Sequence, residues 1–187
     1  MGLWLSLVAV AGVVMWVIVT YNSLIGLRNQ VANGWRQIDV QLKRRHDLIP
    51  NLVNTVKGAM EFERDTLTQV MEARASALGA SGPVDAARKE GALTQALGRL
   101  FAVAENYPAL KANENVKMLQ EELSSTENKV GFSRQFYNDI ATSYNTRQQS
   151  FPANMMASAF GFTPAELFEL QTEAERQVPA VDLSMRK

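Results

Sequence analysis

The sequence predicts an all-α protein: an N-terminal transmembrane helix followed by an elongated antiparallel helical bundle built from long, kinked helices. Three observations carry this. Residues 3–21, LWLSLVAVAGVVMWVIVTY, are 19 residues without a charge. Residues 24–56 repeat apolar side chains every three or four positions, and residues 116–151 do so again over a similar length. Two such seams, separated by Gly- and Pro-bearing breaks, suit helices packed lengthwise against each other.

Composition removes several function classes. At 187 residues the chain holds one domain and a small appendage. Its 19 basic and 19 acidic residues cancel, so no global field draws it to nucleic acid. The absence of cysteine excludes a disulfide framework, a thiolate zinc site, a cysteine nucleophile and a lipoprotein-type anchor. The single histidine, His46, cannot supply the paired Glu-x-x-His motifs of a di-metal bundle. No cofactor, metal, catalytic residue or small-molecule substrate is expected.

Residues 1–21 are expected to be the anchor. Leu3, Trp4, Val13, Val14, Trp16, Val17, Ile18 and Tyr21 lie in a run that would span about 28 Å as a helix, against a hydrocarbon core of roughly 30 Å. Trp4 near one end, and Trp16 with Tyr21 towards the other, suit the two interfaces. A cleaved secretory signal is the rival reading, supported by the small-residue pattern at Ala9 and Ala11. Against it, no basic residue precedes the run, which continues well past that site. Arg28 and Arg36, with Lys43, Arg44 and Arg45 beyond, lie on the C-terminal side. They favour a single pass with the N-terminus outside and the body in the cytoplasm.

The bundle is expected over residues 22–172. Counting in sevens, one row reads Leu24, Val31, Ile38, Arg45 and Leu52, and the other Arg28, Trp35, Leu42, Ile49 and Val56. Pro50 should bend this helix, and the His46 carbonyl it frees would need another partner, for which a basic side chain is suited. Asp39, Lys43, Asp47 and Asn51 are spaced for a surface charge ladder, a better reading of the basic cluster than a nucleic-acid patch. Only Gly58 weakens the pattern before residue 78, so a long bent helix or two collinear ones are expected there, with Phe62 on the apolar face. Residues 79–83, GASGP, form the most flexible loop of the body. A second helix covers about 84–104, with Leu93, Leu97, Leu100, Phe101 and Ala104 on one face, and Tyr107 with Pro108 ends it.

The last long helix starts at the N-cap Asn113. Its row is Val116, Leu119, Leu123, Thr126, Val130, Ser133, Tyr137, Ile140, Tyr144, Arg147 and Phe151, and Pro152 closes it. The tyrosine hydroxyls want partners if buried, and Arg45 or asparagines of the first helix are candidates. Thr163, Pro164 and Glu166 read as a capping box opening a short helix with Leu167, Phe168 and Leu170. Met155, Met156, Phe160 and Phe162 read as an apolar lid over the end of the bundle, with a partner-binding patch as the alternative. Residues 173–187 read as a flexible tail.

With these pieces in place, the chain resembles the LemA family. The resemblance rests on Tyr21-Asn22, Arg28-Asn29, IDVQLKRRHDLIPNLVNTVKG (38–58), ENYPALKANENVKMLQEEL (105–123) and FYNDIATSYNTRQQSFPANMMASAFGF (136–162). The last block carries the Tyr137-Asn138 and Tyr144-Asn145 pairs. It departs at His46, where a tyrosine or phenylalanine is common. The resemblance implies a bacterial cytoplasmic (inner) membrane protein with a membrane helix, a small external N-terminus, a helical-bundle body and no established catalytic activity. It also implies a membrane-bound zinc protease of the stress response as a candidate partner. The function expected is a non-enzymatic scaffold or adaptor at the lipid bilayer, self-associating as a homo-oligomer through its coiled-coil-like seam. The alternative is a membrane-linked sensor acting through the bent first helix. An enzyme using Glu121, Glu122 and Glu127 is disfavoured, because carboxylates so spaced on a helix do not face one another.

Overall fold

The computed structural model describes residues 1–60 and 63–169, and among these it contains helices and no strand. Helix α1 (Gly2–Lys57) runs unbroken from the apolar run through the first seam, and Pro50 sits inside it. It is followed by α2 (Arg64–Leu78), α3 (Gly82–Ala104), the short α4 (Pro108–Lys111), α5 (Glu114–Gln149) and α6 (Ala153–Ala159). Phe62, Leu170 and the tail at 173–187 lie outside the described residues.

α2 does not continue α1. The chain reverses after Gly58, and α2 runs back along α1, with Leu67, Val70 and Ala77 packed into the core that holds Ile49, Leu52 and Val56. A collinear continuation would have left that apolar row uncovered. The reversal also brings Arg74 back to the helix it left: its Nε donates to the His46 carbonyl at 2.7 Å. This is the carbonyl that Pro50 cannot serve, and a basic side chain takes it as the sequence suggested.

α3 turns antiparallel to α2 through residues 79–81, a short tied turn rather than a flexible loop. Gly82 has φ +78, where glycine alone is unstrained. Lys89 Nζ donates to the Gly79 carbonyl at 3.0 Å, and the Ser81 N–H to Asp85 Oδ2 at 3.0 Å. Hydrogen bonds from Lys89, Arg88 and Ser81 hold the Asp85 carboxyl well below the usual carboxylate range.

α5 begins as predicted, with Asn113 Oδ1 accepting from the N–H groups of Asn115 and Val116. It lies antiparallel along α1, and Leu42 and Leu123, the marker leucines of the two seams, are both buried. The buried row of α5 is Val116, Leu123, Thr126, Val130, Tyr137, Ala141, Tyr144 and Gln148. The sequence reading holds as far as Tyr137 and at Tyr144, but Ala141 and Gln148 replace Ile140 and Arg147, and Phe151 is exposed. Val116, Leu123, Val130, Tyr137 and Tyr144 keep the seven-residue repeat, while their buried companions pass from three residues on, at Thr126, to four residues on, at Ala141 and Gln148.

The capping box at Thr163 opens no helix. Residues 162–167 carry no regular structure and form a strap lying across α5.

Candidate functional site

Two polar constructions interrupt the apolar interior. The first is centred on α1, where Arg45 and His46 are adjacent and both buried. Each takes one oxygen of Glu90, a buried residue of α3: Arg45 Nη1 donates to Oε2 at 3.2 Å, and His46 Nε2 lies 2.6 Å from Oε1. The carboxylate as acceptor fixes the imidazole proton on Nε2. Arg45 Nη2 donates to Thr94 Oγ1 at 2.9 Å and lies 3.8 Å from Glu127 Oε1 on α5. Beside it, Arg44 pairs with Glu122. Three helices thus meet at one guanidinium. A buried ion pair contributes little net stability, because desolvating both charges offsets most of their attraction, but it penalises any packing that separates them.

The second construction holds the strap. Asn145 Oδ1 accepts the Ala165 N–H and its Nδ2 donates to the Ala165 carbonyl, both at 2.8 Å. Asn138 repeats the arrangement on Phe168, accepting at 2.8 Å and donating at 3.2 Å. The two asparagines are two helical turns apart, about 10.5 Å, close to the reach of three extended residues, so successive amides meet the same strap. A helix at 163–168 would bring Ala165 and Phe168 within about 5 Å of each other and could not serve both. Tyr137 OH donates to the Glu166 carbonyl at 2.7 Å and Gln148 Nε2 to that of Thr163 at 3.3 Å. The hydroxyl partner of Tyr137 is therefore the strap and not Arg45. Burial, then the nearby Glu166 charge, pushes the Tyr137 phenol above its ordinary pKa. Trp35 packs on Tyr137 and Phe168, with ring centroids 5.8 and 6.1 Å away.

Below the strap, α6 closes onto the start of the body. Met156 and Ala157 pack on Leu24, flanked by Val17, Tyr21 and Phe162. Tyr21 stands 5.0 Å from Phe160 and 5.8 Å from Phe162, and the Arg28 guanidinium lies 5.6 Å over the Phe162 ring.

The other predicted positions divide simply. Leu3, Trp4, Val13, Val14, Trp16 and Ile18 are exposed, whereas Val17 and Tyr21 are half-buried under α6. Asp39, Lys43, Asp47 and Asn51 line an exposed face, and among the described residues no ion pair joins them, so the expected ladder is not formed. Isolated exposed pairs of this kind are worth only tenths of a kcal/mol, too little to hold long side chains in place. Pro50 and Pro152 are half-buried. Of the carboxylates weighed as catalytic, Glu122 and Glu127 face arginines of α1. Sequence reasoning missed Glu90 and Thr94 of α3. The signal was available, since Glu90 falls in the apolar row of Ala86, Leu93, Leu97 and Leu100.

An all-α bundle whose first helix starts in a segment long and apolar enough to cross a membrane is the architecture of a LemA-type membrane protein. The chain belongs to the LemA family, whose family model matches residues 34–183. It is similar to magnetosome protein MamQ 2 of Paramagnetospirillum magneticum, at 24% identity over 191 residues, covering 88% of this chain and 70% of that protein. It is also similar to Protein LemA of Metamycoplasma hominis, at 26% identity over 159 residues, covering 83% and 71% of the two chains.

Proposed function

We propose that the protein is a single-pass membrane scaffold or adaptor without chemistry of its own, anchored by residues 1–21 and self-associating through its bundle. The observation that carries this is the continuity of α1: its apolar half stands bare through Trp16, then enters the packed body without a break. A cleavable signal has no reason to be tied to the body in this way, yet Thr20 and Leu24 are both buried. The body is thereby held at a fixed angle to the bilayer, where lateral contacts act at high effective concentration. Met118, Phe132 and Phe136 share one exposed face of α5 and offer such a contact. The hold of Arg74 on the carbonyl freed by Pro50 supports a static scaffold over a helix that bends to signal.

Chemical crosslinking in intact membranes followed by mass spectrometry tests the reading. Crosslinks between copies near Phe132 and Phe136 are expected, and crosslinks to a membrane-bound zinc protease would identify that partner. A monomer by light scattering in mild detergent at micromolar concentration, with no crosslinks between copies, would sink the self-associating form. The charges at Arg28 and Arg36 place the body in the cytoplasm in this reading. A Ser81→Cys variant should then escape a membrane-impermeant thiol reagent applied to intact cells, and labelling would put the body outside.

A further inference from the structure

We infer that α6 is an interfacial helix, seated in the boundary between acyl chains and headgroups of the bilayer that α1 crosses. The inference rests on the membrane reading of α1 and adds a second membrane contact to it. The bare part of α1, residues 2–16, covers only about 22 Å at helical rise, whereas the hydrocarbon core is about 30 Å thick. The missing length amounts to about five residues, 17–21, and of these Val17 and Tyr21 pack against α6 and the turn after it. For α1 to span, the bilayer boundary must run at the level of α6.

The chemistry of the segment fits that depth. Residues 148–165 contain no charged side chain, in a chain of which 20% is charged. The same holds for residues 2–27 of α1, so the two uncharged stretches lie side by side. Met156 and Ala157 face α1, while Phe151, Met155 and Phe160 are 80, 64 and 56% exposed, Phe160 even though its ring meets Tyr21. Apolar side chains so bare are costly in water and favoured among acyl chains. Tyr21, Phe160 and Phe162 form an aromatic cluster at this height, and Arg28, the first charge along α1, sits just above it over Phe162, where phosphates would lie.

The test uses full-length protein in vesicles of phosphatidylethanolamine and phosphatidylglycerol, with an environment-sensitive fluorophore at single cysteines, the native chain having none. Met155→Cys is the probe, with Ser158→Cys as a second position on α6, Phe132→Cys as an exposed site on α5 and Val10→Cys in the span. Labels on α6 should emit at shorter wavelength and lose most of their intensity to lipids spin-labelled near the headgroup. The α5 label should not respond, and the Val10 label should respond to deeply placed spin labels. Quenching at Val10 with both α6 labels behaving like the α5 label overturns the interfacial helix and leaves the anchor standing. No quenching at Val10 overturns the anchor and the inference together. Unquenched α6 labels whose emission changes on dilution with unlabelled protein would assign this face to a second copy, and also overturn it.

Discussion

Towards the tip of the body, beyond Arg45, the core is almost wholly aliphatic. Ile49, Leu52 and Val56 of α1 meet Leu67 and Val70 of α2, Leu93, Leu97 and Leu100 of α3, and Val116 and Leu123 of α5. Between Arg45 and its apolar N-terminal segment α1 has different company: α5, the strap, α6 and the first turns of α3, with aromatic rings and asparagine amides where the tip has methyl groups. The tip is held by non-directional burial, which tolerates repacking. The half nearer the apolar N-terminal segment is held by directional bonds to a strap without secondary structure of its own. Arg45, His46 and Glu90 mark the change from one regime to the other. The bundle thus has one end built for bulk stability and one built to fix a chain segment in a single place.

The largest effect is expected at the boundary. Glu90→Ala strands a buried guanidinium and should cost about 3–5 kcal/mol in denaturant unfolding. Replacing the set together, with Arg45→Met, His46→Phe and Glu90→Leu, should restore stability to near the parent value. If the triple replacement is as unstable as the single one, the network contributes net stability and is more than a device of register.

Next comes the tip. Leu52 is 1% exposed, and Leu52→Ala should cost about 2–5 kcal/mol, the range depending on how far the surrounding leucines collapse. In the half that carries the strap, Asn145→Ala removes both bonds to Ala165 and should cost about 1–3 kcal/mol. The sharper readout is local: hydrogen exchange at the Ala165 and Phe168 amides should accelerate while amides of α2 and α3 keep their protection. Uniform loss of protection would mean that the two halves unfold as one unit and that the contrast between them is only chemical.

This contrast also explains what could be read from residues alone. The tip was legible because periodicity reports burial, and Leu52, Leu93 and Leu123 all sit in rows visible in the sequence. The start and N-cap of α5 were legible because capping is local. The return of α2 was not, since nothing within residues 58–63 states which face of α1 still needs cover. Glu90 stood in an apolar row, as Arg45 did, but matching the two rows requires knowing which helices face each other. The strap was misread for a related reason. Thr163, Pro164 and Glu166 obey local rules for a helix start, while the amides that outcompete that helix lie on Asn138 and Asn145, far back in the chain. The repeated Tyr-Asn pairs, seven residues apart, mark two clamps on one stretch of chain, but only the fold shows which stretch they hold.

The smallest expected effect concerns alkaline pH, and it separates the two halves without disturbing their packing. Burial raises the phenols of Tyr137 and Tyr144 above the ordinary value of 10.0, with the Glu166 charge adding to the first and Arg28 opposing the second. At the tip, Tyr107 is also raised, by desolvation and by Glu63, to which its hydroxyl donates at 3.4 Å. A phenol whose pKa is raised by folding ionises more readily in the unfolded chain. Its contribution to stability is therefore fully present below about pH 10 and lost as pH rises through the folded value. Full-length protein in mild detergent should accordingly lose stability steadily above about pH 10 in denaturant titrations. Tyr137→Phe keeps the ring against Trp35 but removes the bond to the strap, so it should cost about 0.5–1.5 kcal/mol at neutral pH and flatten the alkaline loss. Tyr107→Phe should flatten it less, because its hydroxyl meets only a long bond at the bundle tip. The opposite ranking would place the alkali-sensitive contact at the tip, and the strap would then owe its position to the two asparagines and to Phe168 alone.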